Sequence, residues 1–192
     1  MYELPTTIEI ENGVSYPIRN DGDFRVVLDA FSLLNDEELN KEEKIISALL
    51  VFYDDMNCVE DVLSIDNMEG AVKGMFEFFN AGRPEPKGQE KKLIDWDKDS
   101  SMIFSAVNNV AKQEVRAVPY MHWWTFMGYF ASIGESTLST VVGIRNKILT
   151  EKKLEKWERQ FKAENPQLFD WNSKTADEME AEAWLKEIWN KE

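Results

Sequence analysis

Asp95-Trp96-Asp97-Lys98-Asp99 sets three carboxylates at alternating positions, the way oxygen-rich loops begin to enclose a hard cation. A calcium loop of the helix-loop-helix kind also needs Gly at its sixth place and an acid at its twelfth. Ser100 and Ala106 stand there instead. An aspartyl-phosphate phosphatase would need a buried strand before the acids, and only Leu93 and Ile94 precede them. The acids therefore read as caps, with Asp95 or Asp97 satisfying the first N–H groups of a helix whose inward face is Trp96, Ile103, Ala106, Val107 and Val110. Asp54, Asp55, Asn57, Glu60 and Asp61 form a second oxygen-rich group without the spacing of a cation loop. His122 is the only histidine and no Gly-x-Ser-x-Gly elbow accompanies it. It reads as a core hydrogen bonder of fixed tautomer. Cys58, the only cysteine, excludes an internal disulfide and a Cys-based zinc site, and it suits a reducing cytosol. No catalytic, metal or cofactor-binding residue is expected, so the protein reads as a non-enzyme.

The elements that would position these residues are mostly helical. Thr6 to Ile18 alternate around Asn12-Gly13, a hairpin signal, within an expected hairpin spanning 5–19. Pro17 makes the second strand an edge. Asp23 caps a helix from Phe24 to about Leu34. A second helix is expected from Asn35 or Asp36, with Asp36, Glu37 and Glu38 in its first turns and Leu39, Ile45, Ile46, Leu49, Leu50 and Tyr53 along it. A third runs from Asn67 to Asn80 with Met68, Ala71, Val72, Met75, Phe76 and Phe79 as its stripe and Gly82 as its stop. Residues 82–94, rich in Pro, Gly and charge, read as a mobile loop.

Pro119 to Ile148 is the densest apolar stretch. Pro119 suits a first helical position. From Met121 to Ile133 the helix is apolar on nearly every side, which calls for burial. Gly134 and Ser136 break the chain before a helix carrying Leu138, Val141, Val142, Arg145 and Ile148. Thr150 then caps a basic helix with Leu154, Trp157 and Phe161 on one stripe. That stripe either packs on the core or projects toward a partner. The tail, 166–192, ends in a short amphipathic helix with Met179, Ala183, Trp184, Ile188 and Trp189, which either folds back or docks on a partner. The fold class is mainly α, a helical domain of about six to eight helices with an N-terminal β-hairpin, residues 1–165 forming one domain. Trp123, Trp157, Phe161, Trp184 and Trp189 are the candidate partner-binding residues.

At 192 residues and a net charge of −14, the chain can bury a sizeable core but is poorly suited to a phosphate backbone. Its acidic surface favours solubility or a basic partner. The start, Met1-Tyr2-Glu3-Leu4, lacks the basic and apolar regions of a signal peptide. The longest apolar run falls short of the ~20 residues that span a bilayer. No nucleic acid and no membrane are expected as partners, and self-association is left open.

The run HWWTFMGYFASI followed by STLSTVVGIRNK, together with TIEIENGVSYPI and DFRVVLDAF, resembles the phage gene-product-fifteen family, encoded just upstream of the tape-measure gene in several siphophages. The likeness extends from about Thr6 to Trp157. It implies a non-enzymatic tail assembly chaperone in the cytoplasm of the bacterial host, with the tape-measure and tail tube proteins as partners. The alternative is a structural tail or head-tail connector component retained in the virion.

Overall fold

The computed structural model describes residues 3–10, 13–83 and 92–171. Among them are a two-stranded antiparallel hairpin and eight α-helices, as the sequence pattern leads one to expect. They fall into two compact units, one holding residues up to 83 together with 120–127, the other 92–119 together with 128–171.

In the first unit, β1 (Thr7–Glu9) pairs with β2 (Ser15–Pro17), Ile8 facing Tyr16. The turn between them closes with the Gly13 N–H donating to Ile10 O, and Gly13 sits at φ +72°. Ile8 rests on Gly74, where a Cβ would come within 2.3 Å of its Cγ2, so the missing side chain is what lets the hairpin approach α4 (Met68–Phe79). A hairpin alone is unstable in water, and this contact supplies its apolar support.

α1 (Phe24–Asn35) starts at Asp23, whose Oδ1 accepts from the Arg25 N–H at 3.0 Å. α2 (Lys41–Phe52) starts later than the sequence pattern suggests. Asn40 accepts from the N–H groups of Glu42 and Glu43, while the Glu43 carboxylate accepts from the Asn40 N–H at 2.9 Å. This reciprocal cap outcompetes the one expected at Asn35 or Asp36. Asp36, Glu37 and Glu38 accordingly lie before the helix, not in its first turns. The far end of α2 is closed by Arg19, which donates from Nε to Val51 O at 3.0 Å and from Nη2 toward the carbonyls of Leu50, Tyr53 and Met56 at 2.9–3.0 Å. A cation there complements the negative end of the helix dipole. A short helix that the sequence reading missed, α3 (Val59–Leu63), follows. Five residues are too few to show a 3.6-residue period. α4 begins on Asn67, which accepts from the Gly70 N–H, and buries Ala71, Val72, Met75, Phe78 and Phe79. Phe76 is only half-buried. Most of the expected loop 82–94 lies outside the described residues.

The core of this unit is aromatic. Phe24 stacks on Phe126 at 4.8 Å between centroids, Phe31 meets Trp123 edge-on, and Phe52 packs against Phe78 and Phe79. The buried Tyr53 hydroxyl donates to Ala71 O at 2.7 Å, tying α2 to α4. α6 (Trp123–Ala131) begins at Trp123 rather than Pro119. Pro119 is exposed and outside the helix. His122 provides the start instead, its carbonyl accepting from Thr125 and Phe126 and its ring from Trp124. The helix buries Trp123, Phe126 and Met127, while Thr125, Gly128 and Ala131 are exposed, so it is less enclosed than its composition suggests.

In the second unit, α5 (Ser100–Ala111) packs against α7 (Thr137–Leu149). Ile103, Ala106, Val107, Leu138, Val141 and Ile144 are buried. Ser136 and Ser139 cap α7 reciprocally. α8 (Lys156–Glu164) starts on Glu155, not Thr150. Thr150 turns back on α7, its hydroxyl donating to Asn146 O at 2.7 Å, and Leu154 stays outside the helix. A 3-10 turn, Pro166–Phe169, leads to Trp171.

Candidate functional site

The acids at 95–99 build a turn and a buried ion pair. Asp95 Oδ1 accepts from the N–H groups of Asp97 and Lys98 at 3.1 and 2.9 Å, closing the turn ahead of α5. It does not cap the helix itself, which begins at Ser100. Asp99 faces inward, 1% exposed, and binds Arg145 from α7 through both oxygens at 2.5 and 2.8 Å. Arg145, also 1% exposed, donates further to Leu93 O at 2.9 Å and twice to Leu168 O. All five guanidinium N–H groups are thus used. Trp171 lies 4.6 Å from the guanidinium carbon, and its indole donates to Lys92 O at 2.8 Å. A buried ion pair with every donor satisfied holds four stretches of chain together and has no free valence for a substrate. Sequence reasoning missed this pairing, although Arg145 sits on the apolar stripe of α7, where a charged residue requires a buried partner.

His122 is 1% exposed and similarly committed. Its Nδ1 accepts from the Trp124 N–H at 3.0 Å, so Nε2 carries the proton and donates to Pro5 O at 2.9 Å. Burial pulls its pKa below the usual range, against the opposing influence of Pro5 O and Asp23. Beside it, Asp23 Oδ2 accepts from the Met121 N–H, and Gly22 at φ +78° has Phe78 and His122 where a Cβ would stand. The ring fixes the N-terminal segment and α6 in one place.

The second acidic group is also occupied in part. Asp61 Oδ2 accepts from the N–H groups of Asn57 and Cys58, which holds its carboxyl below the ordinary range, and Asp54 lies 3.7 Å from Arg19. Among the described residues, no group of three or more His, Cys, Asp or Glu is arranged to hold a metal ion. No helix among them is long and apolar enough to cross a membrane.

The aromatic candidates separate by exposure. Trp123 is fully buried, its indole donating to Phe79 O at 2.9 Å, so it offers no surface to a partner in this fold. Its neighbour Trp124 is half-buried and donates to Phe78 O. Phe161 is half-buried and meets Phe169 edge-on at 6.3 Å. Trp157 is 56% exposed on α8. Trp184 and Trp189 lie outside the described residues. α8 is anchored by Glu158, 4% exposed, which accepts from Lys147 Nζ at 2.6 Å and from the Glu155 N–H at 2.7 Å. The anchoring face turns inward and Trp157 outward.

No curated protein and no solved structure matches the chain. A family model described as bacteriophage Gp15 protein matches residues 1–165. That span contains the hairpin, the eight helices of the described residues and the Asp99–Arg145 pair, but not Leu168 or Trp171. The chain belongs to the bacteriophage Gp15 protein family.

Proposed function

We propose that this protein is a tail assembly chaperone, a non-enzymatic factor that binds the tape-measure protein in the host cytoplasm while tail tube subunits are added. The observation that carries the reading is membership of the phage family over residues 1–165. One feature supports it. The residues with catalytic types, Asp95, Asp99 and His122, are engaged in internal hydrogen bonds.

Co-expression with the tape-measure and tail tube proteins of the same genome tests it, followed by affinity capture. A soluble complex with several copies per tape-measure chain is the expected result. An insoluble tape measure with this protein eluting alone would remove the reading. Mass spectrometry of purified virions should find the protein absent; its presence would favour a connector component instead.

A further inference from the structure

Two exposed apolar spots on this chain carry opposite charges at their rims. Among the described large hydrophobic residues, Leu63 and Trp157 are the most exposed, at 59% and 56%. Leu63 shares the outer face of α3 with Val59, four residues earlier and 44% exposed. Residues 54–66 contain Asp54, Asp55, Glu60, Asp61 and Asp66 and no Lys or Arg. With Asp61 engaged at the helix start and Asp54 near Arg19, Asp55, Glu60 and Asp66 remain as an exposed acidic rim. Trp157 has the reverse surroundings. Residues 152–162 contain Lys152, Lys153, Lys156, Arg159 and Lys162, and of their two acids Glu158 is buried against Lys147.

We propose that copies of this chain associate head to tail, the Trp157 face of α8 on one copy seating against the Val59–Leu63 face of α3 on another. An apolar spot with a basic rim fits one with an acidic rim, and both lie on the same polypeptide. The contact joins two different surfaces, so a pair held by one contact keeps one spot of each kind, which closes a ring or takes up a further copy. The apolar area is small, which places it in the range of weak contacts, with dissociation constants on the order of 10–100 μM.

Light scattering on the purified full-length protein, without any tape-measure protein, tests the inference separately from the proposed function. The average mass is expected to rise with concentration at low salt, and the rise to vanish near 1 M salt, where the Debye length is ~3 Å. Trp157→Ala and Leu63→Lys each weaken association about tenfold or more, with unchanged circular dichroism because both positions are exposed. Mixed in equal amounts, the two variants regain one intact contact, and the mixture stops at the dimer. A wild type that stays monomeric throughout, a variant that associates like the wild type, or a mixture that stays monomeric would each overturn the proposal.

Discussion

His122 acts here through its two nitrogens, and the fold depends on its remaining neutral. Protonation would place a hydrogen on Nδ1, which accepts from the Trp124 N–H. Its folded pKa lies below the usual 6.5, so its contribution is complete above that value and is lost as pH falls through it. Melting temperature should fall as pH drops below about 6.5, and His122→Asn should remove that dependence while lowering stability throughout. Carboxylates such as Glu158, held below 4.5 by Lys147, lose their contribution only at lower pH and leave this window clear. Lys44 illustrates the opposite situation. It lies on the buried stripe of α2 beside Ile45 and Ala48, 2% exposed, and its amine has no hydrogen-bond partner. Burying an ammonium without a partner is costly. Lys44→Met should raise stability by about 1 kcal/mol or more in urea titration. The place of His122 as a core hydrogen bonder of fixed tautomer was legible in the sequence. That of Lys44 was not: a lysine amid Glu42 and Glu43 reads as solvated, yet it shares the buried stripe of α2 with Ala48 and Phe52.

At the level of elements, caps decide where helices begin. Asn40→Ala should cost about 1 kcal/mol and fray the first turn of α2, seen as a lower urea midpoint with an unchanged slope. The same mutation at Asn35, where the sequence pattern also allows a start, should change little. Apolar spacing was enough to find the hairpin and the paths of α1, α4 and α7, because their stripes run for three turns or more against a core. It misplaced the starts of α2, α5, α6 and α8, where several polar residues compete for the same N–H groups. Asp95 or Asp97 looked able to cap α5. Asp99 stands at the N-cap position instead and makes no side-chain cap, its carboxylate being taken by Arg145, 46 positions later. The partner candidate Trp123 and its neighbour Trp124 are alike by composition, and both indoles donate to carbonyls of α4. Burial, complete for Trp123 and partial for Trp124, is what separates them.

For the molecule as a whole, Arg145 shows how far the second unit depends on chain beyond residue 165. Ending the protein there would remove Leu168 O and Trp171 and leave the guanidinium with Asp99 and Leu93 alone. A 1–165 chain should be less stable than 1–171 by about 3 kcal/mol, read by denaturation of the Trp96 and Trp157 fluorescence. Among the described residues each unit is also built from two separated stretches, because the chain leaves the first, builds part of the second, returns for 120–127 and departs again. No single cut divides the protein into two halves that each contain one unit. During synthesis the first unit has to wait for Phe126 to emerge before Phe24 gains its stacking partner, and the second waits for Trp171. An early-folding N-terminal half is therefore unavailable to this chain, and its nascent form carries unfilled aromatic surface until Trp171 has emerged.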